Sequence, residues 1–256
     1  MDICSPTIQL FLPVQMRLEK SFEKYLGREN QALVGCLKEH IEHLYETLIV
    51  IVGPESVGKT HLLASSVAYY ETVYGSEMEC AYFSLSELRE NNVFDTDDDD
   101  SSYFTDLLDY FESFKFLALD DVDIWLNSFI GRQLDEAELL IFNLFNHYKM
   151  NGKLLMITSK CSPARLDIKL KDLQSRLQSG LLVTLLDMGD REKANLLTSL
   201  AKLKGFLMDD DVSAYILKRS GRDITTLLDI IDNLDKATLI EKRKLTVPFV
   251  KKVLNW

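Results

Sequence analysis

No stretch of this 256-residue chain reaches the roughly 18 consecutive apolar residues that a membrane-spanning helix needs, so no membrane association is expected. The N-terminus lacks the basic start and apolar core of a secretory signal, which points to a cytoplasmic protein. Cysteine is sparse: Cys4, Cys36, Cys80 and Cys161 are widely scattered and form no zinc-type pair. Cys36 and Cys80 fall within apolar patterns and read as small buried side chains in a reducing compartment. Positive charge is also short. With 29 Lys and Arg against 40 Asp and Glu, the net charge of −11 is a poor basis for independent, non-specific DNA binding, which rests on cations neutralising phosphates.

What is present centres on residues 48–61. Leu48-Ile-Val-Ile-Val52 reads as a strand buried on both faces. It runs into Gly53-Pro54-Glu55-Ser56-Val57-Gly58-Lys59-Thr60-His61, the spacing of a phosphate-binding P-loop, and then into an apolar helix over 62–74. The glycines let backbone N–H groups converge on phosphate oxygens, and the helix N-terminus adds its positive end. Lys59 would reach the β- and γ-phosphates and Thr60 would ligate magnesium. The strand before and the helix after supply the context that a bare pattern lacks.

The flanking chain supports an α/β domain followed by helices alone. Gln9-Leu10-Phe11-Leu12-Pro13-Val14 is apolar and interrupted by proline, hence extended. By itself it fits either a strand on the protein's own core or a peptide that docks in another protein's groove. Residues 17–46 carry apolar positions at helical spacing, with Asn30 a candidate cap for a second helix there and His40 and His43 solvated. Strands are expected at 80–85, 116–121, 153–159 and 181–186, with helices at 134–150 and 170–177 between them. The strand Phe116-Leu-Ala-Leu ends in Asp120 and Asp121, the Walker B form. There Asp120 would hold the magnesium shell and Asp121 would orient the attacking water. The strand at 153–159 ends in Thr158 and Ser159, hydroxyls suited to a place near a γ-phosphate. The run Asp95 to Asp100 lacks the Gly and the terminal Glu of a calcium loop and reads as solvated connection. Alternating strands and helices imply a mostly parallel sheet with ligands at the strand C-termini. From Asp190 on, four helices are expected, the last opened by Thr246 as N-cap with Pro248 in its first turn.

Together these motifs resemble the AAA+ ATPases: a P-loop parallel sheet with helices on both faces, followed by a small all-helical lid. Gly58-Lys-Thr-His-Leu-Leu63, Leu119-Asp-Asp121 and Ile157-Thr-Ser159 are similar to the core of the initiator DnaA. Gln9–Val14, Asp172-Leu-Gln-Ser-Arg-Leu177 and Arg243–Lys252 make the chain more similar still to the Hda family, DnaA-related regulatory inactivators. The resemblance implies three parts: a clamp-binding tail at 1–16, a nucleotide-binding domain at 17–188 and a lid at 189–256. It implies that Gln9, Leu10, Phe11, Leu12, Pro13 and Val14 dock on the β sliding clamp loaded on DNA. The site at 53–61, with Asp120, is expected to hold ADP, or ATP, with Mg2+. Arg176 would be an arginine finger reaching in trans into ATP held by DnaA.

The function so implied is negative regulation of replication initiation, with no independent turnover. The alternative is an intrinsic ATPase serving as helicase loader or initiator accessory factor. Two positions depart from the family: Thr225 stands where the lid arginine is expected, with Arg222 one helical turn earlier as a substitute, and Phe11 and Val14 are unusual in the clamp motif. The chain also has neither the basic helix-turn-helix domain nor the N-terminal oligomerisation domain of DnaA, so sequence-specific DNA binding is not expected, while a homo-oligomer stays open.

Overall fold

The computed structural model describes residues 22, 28–75, 79–90, 102–187, 189–220, 224–241 and 245–256, with backbone alone at 28–32, 89–90, 102, 224–225 and 239–241. Five strands, β1 (Leu48–Val52), β2 (Cys80–Ser84), β3 (Phe116–Asp120), β4 (Leu154–Ser159) and β5 (Leu181–Thr184), form one sheet in the order β2-β3-β4-β1-β5. Every pairing is parallel: β1 lies between β4 and β5, with Val50 opposite Ile157 and Leu182.

Parallel neighbours need crossovers, and helices supply them. After α1 (Arg28–His43), which precedes β1, these are α2 (Lys59–Tyr74), α3 (Leu85–Glu90), α4 (Ser102–Glu112), α5 (Val122–Asn127), α6 (Gly131–Met150) and α7 (Lys171–Ser179). The continuous apolar runs of the central strands are explained by helices on both faces. Leu48, Val50, Leu117, Leu119, Leu155 and Ile157 pack with α4 and α6, through Leu107, Phe111, Leu144 and Tyr148. The alternate residues Ile49, Ile51, Phe116, Ala118, Leu154 and Met156 pack with Leu37 and Ile41 of α1 and Leu62, Leu63 and Tyr70 of α2. The Tyr148 hydroxyl donates to the carbonyls of Phe111 (2.8 Å) and Phe114 (3.0 Å), closing the end of α4 onto α6.

Beyond Gly189 four helices, α8 (Asp190–Leu203), α9 (Asp210–Arg219), α10 (Ile224–Glu241) and α11 (Val247–Leu254), enclose a core of their own around Leu197, Ile216, Leu227, Leu234 and Val250. The Thr246 hydroxyl accepts the Phe249 N–H at 3.4 Å, the expected N-cap. Lys193 of α8 is buried, and its ammonium pairs with Asp187 at 2.9 Å, tying this unit to the segment that leaves β5.

The structure differs from the sequence expectations in several places. Asn30 lies inside α1, which starts at Arg28, so it caps nothing. Cys36 is exposed, because its position on α1 faces away from the Leu37–Ile41 stripe. Residue 85 opens a helix instead of ending β2, α3 and α5 are six-residue elements too short to show a helical period, and α4, although Tyr103, Phe104, Leu107, Leu108 and Phe111 recur at helical spacing, was not among the expected elements.

Candidate nucleotide-binding site

The P-loop leaves the C-terminal end of β1. The Gly53 N–H donates to the Ser159 carbonyl at 3.3 Å, so the loop starts against the end of β4. A Cβ on Gly53 would stand 2.8 Å from the Leu185 carbonyl oxygen, and only glycine passes beneath the chain leaving β5. The loop turns back through Ser56 (φ 58°) and Gly58 (φ 98°), both left-handed, and Gly58 is the N-cap of α2 with no side-chain cap. The first amides of that helix are therefore available to an anion, favoured also by the helix dipole.

Lys59 is only 7% exposed, and its ammonium donates to the carbonyls of Gly53 (2.9 Å) and Pro54 (2.8 Å). Burial pushes its pKa down, opposed by the attraction of Asp121, Asp120 and Asp123. The cation is thus held inside the loop that would carry phosphate. Lys59→Ala is expected to weaken nucleotide binding about ten- to a hundredfold, the worth of a hydrogen bond to a charged group. Titration calorimetry with ADP reads this directly.

Asp120, 2% exposed, ends β3. Its Oδ2 accepts the Tyr82 hydroxyl at 3.0 Å and its Oδ1 accepts the Thr158 hydroxyl. Thr158 Oγ1 in turn accepts the Asp121 N–H at 2.8 Å. That bond helps hold Asp121 at φ 58°, ψ 44°, a left-handed backbone that is unfavourable without glycine. The Asp121 carbonyl accepts the Trp125 N–H at 3.0 Å and starts α5. Each Asp120 oxygen keeps lone-pair capacity after one hydroxyl bond, and with Thr60 it offers the hard oxygen set that magnesium prefers. Among the described residues no group of three or more His, Cys, Asp or Glu is arranged to hold a metal.

Burial pushes the Asp121 carboxyl above its ordinary pKa, helped by Asp120 and Asp123 and opposed by Lys59. Above this raised value the folded state carries a carboxylate at a cost; below the unfolded value both states are protonated and the cost is gone. Asp121→Asn should therefore stabilise the fold near neutrality, and Asn also tolerates the left-handed backbone. The pH-dependent part of the gain should shrink as pH falls through the raised pKa into the ordinary carboxylate range. Thermal unfolding of both proteins across that window checks it.

Both hydroxyls ending β4 are engaged within the protein. Thr158 is fully buried and given to Asp120, while Ser159 donates to the Cys161 carbonyl at 2.9 Å. The residue that reaches the P-loop is Lys160, which ion-pairs with Glu55 and whose N–H donates to Asp123 Oδ2 at 3.0 Å. Sequence reading missed Tyr82, Asp123 and Lys160. Tyr82 was within reach once register is known: it pairs with Ala118, so it shares a sheet face with Asp120 two residues on.

Arg176 sits elsewhere. It is exposed on α7, its guanidinium 5.8 Å from the centroid of the buried Phe145 ring, and among the described residues no carboxylate pairs with it. Gly180, four residues on, lies against Leu48, where an added Cβ would come within 2.7 Å of the Leu48 side chain. Leu48 is the first residue of β1, whereas the P-loop leaves the last, about 13 Å away at 3.3 Å per residue. Arg176 lies about one helical turn, roughly 6 Å at 1.5 Å per residue, back along α7 from that contact. A further residue that no motif signalled positions α7: Glu138, 1% exposed on α6, accepts the Lys169 N–H at 2.9 Å and the Leu170 N–H at 2.7 Å, just where α7 begins.

Gln9 to Val14, the Asp95–Asp100 run and Arg222 lie outside the described residues, as does the side chain of Thr225. Of the expected nucleotide site the fold brings Lys59, Asp120 and Asp121 together, while Arg176, expected to act in trans, stands on α7.

Residues 21–184 match the family model described as the bacterial DnaA ATPase domain, and residues 190–254 match that of the Hda lid domain. An uncharacterized protein of Haemophilus influenzae is 36% identical over 249 residues, which cover 96% of this chain and 98% of the relative. Domain III of the Thermotoga maritima replication initiation protein DnaA superposes with a TM-score of 0.75 at 19% identity, over 93% of this chain and 96% of that one. AMPPCP-bound DnaA of Aquifex aeolicus gives 0.67 at 20% identity, over 89% of this chain and 68% of that one. At these identities the structures speak for the fold.

Proposed function

This chain belongs to the Hda and DnaA-related AAA+ proteins, and from that membership we propose that it is a negative regulator of chromosome replication initiation, stimulating hydrolysis of DnaA-bound ATP through Arg176. The observation that carries the reading is the placement of Arg176: exposed on α7, unpaired with any described carboxylate in a chain of net charge −11, and among the described residues without a hydrogen bond or ion pair to its own P-loop. A guanidinium so placed suits a nucleotide presented by another molecule.

In this reading the P-loop holds ADP as a structural ligand. The amides at the start of α2 and the Lys59 ammonium would take the phosphates, and Thr60 and Asp120 the magnesium, which supplies charge neutralisation when bound. Lys193 and Asp187 link the nucleotide domain to the lid. The extended tail Gln9–Val14 docks on the sliding clamp and raises the local concentration of the Arg176 contact. Replacing Gln9, Leu10 and Leu12 together is expected to remove clamp-dependent stimulation when DnaA-bound ATP turnover is followed with clamp loaded on DNA. Undiminished stimulation would overturn the tether.

A second reading, an intrinsic ATPase of the helicase-loader kind, is favoured by one observation: Lys59, Asp120 and Asp121 converge with unbroken geometry. Turnover by the purified protein alone, lost in Asp121→Asn and enhanced by single-stranded DNA, would support it.

A further inference from the structure

Two cations flank one buried ring. Phe145 is 3% exposed and anchored in the core beneath α6, with the Arg176 guanidinium 5.8 Å and the Lys149 ammonium 5.7 Å from its centroid. Lys149 is also exposed, and among the described residues it too pairs with no carboxylate. In a chain with eleven more acidic than basic residues, ion pairing would be the ordinary fate of such groups. Here an aromatic face takes that place.

An exposed arginine ordinarily samples many rotamers, and a neighbouring carboxylate that ordered it would also neutralise it. A ring orders the guanidinium while leaving its N–H donors and charge intact, because the attraction is to the π face. The ring itself cannot wander, since α6 and α7 pack around it and Glu138 fixes the start of α7 from the same helix.

We propose that Phe145 is a positioning residue that holds Arg176, with Lys149 beside it, pre-oriented for an anionic phosphate group presented by a partner molecule. This rests on the reading of Arg176 as a group acting in trans. The platform lowers the rotamer entropy lost when the guanidinium engages phosphate, so it acts on the rate within the complex more than on its formation.

The test measures DnaA-bound ATP hydrolysis against concentration of this protein, for wild type, Arg176→Ala, Phe145→Leu and Phe145→Trp. Phe145→Leu should lower the maximal rate about three- to tenfold, in line with the worth of a cation–π contact, and leave the half-maximal concentration within about twofold. Phe145→Trp, which keeps a π face, should restore the rate. If Arg176→Ala stimulates normally, the trans reading itself fails. If Arg176→Ala is inactive but Phe145→Leu is fully active, the trans reading stands and the platform fails. An independent measurement on the wild-type protein avoids any folding defect of the leucine variant. The Arg176 Nε–H proton, assigned by its loss in Arg176→Ala, should be shifted upfield by the ring; a random-coil position would overturn the proposal.

Discussion

Arg176→Ala is expected to reduce stimulation of DnaA-bound ATP hydrolysis by about a thousandfold or more, with affinity for ADP unchanged. The magnitude is that of a guanidinium stabilising the charge that develops on transferred phosphate in trans. The second half of the expectation comes from geometry. Among the described residues Arg176 makes no hydrogen bond or ion pair with its own P-loop, and its guanidinium lies instead over the Phe145 ring of α6. Loss of ADP binding together with loss of stimulation would mean instead that α7 supports the fold around the nucleotide. Single-turnover hydrolysis of labelled ATP preloaded on DnaA, paired with calorimetric titration of ADP, separates the two. Arg176→Lys should recover little, since an ammonium lacks the planar fork that matches phosphate oxygens.

Glu138→Ala should destabilise the protein by about 3 kcal/mol, since two N–H groups lose their bonds to a buried carboxylate and a hydrogen bond to a charged group is worth roughly 1.5–3 kcal/mol. The carboxylate accepts from Lys169 and Leu170 at the N-terminus of α7, where the helix dipole also favours negative charge, and Leu170 supplies no side-chain cap of its own. For a chain of this size the loss corresponds to about 6–12 °C in the unfolding midpoint. Glu138→Gln should fall between, as its amide keeps one acceptor but turns a donor toward the other N–H. Both variants should also lower stimulated hydrolysis while Arg176 is intact, because the helix that carries it is no longer held at its start. An unchanged midpoint in Glu138→Ala would show that solvent replaces both bonds and that α7 docks without them.

Much of the architecture was legible because it depends on local periodicity. The unbroken apolar run Leu48–Val52 can be nothing but a strand covered on both faces, and Gly53, Gly58, Lys59 and Thr60 have a spacing that only makes sense between strand and helix. The four C-terminal helices were legible from their apolar stripes and the Thr246 cap. Short elements were not: α3 and α5 span six residues each, less than two turns, too few for a period of 3.6 to declare itself. Cys36 was misplaced for a related reason, since it lies next to Leu37 in sequence but on the other side of a helix.

Residue types and spacing by themselves determined the class of site: a phosphate cradle at 53–60, an acidic pair ending β3, a helical unit behind them. Partners across strands were beyond them, because they depend on register. Tyr82 and Thr158 reach Asp120 only when β2, β3 and β4 are laid side by side, and Lys160 meets Glu55 across 105 positions of chain. The tertiary structure also decided where each group works. It gave Thr158 to Asp120, stood Arg176 over the Phe145 ring of α6, and fixed α7 through a buried carboxylate 32 residues away from Leu170. A linear chain specifies which groups exist; the directions in which they point follow from which faces the core must cover.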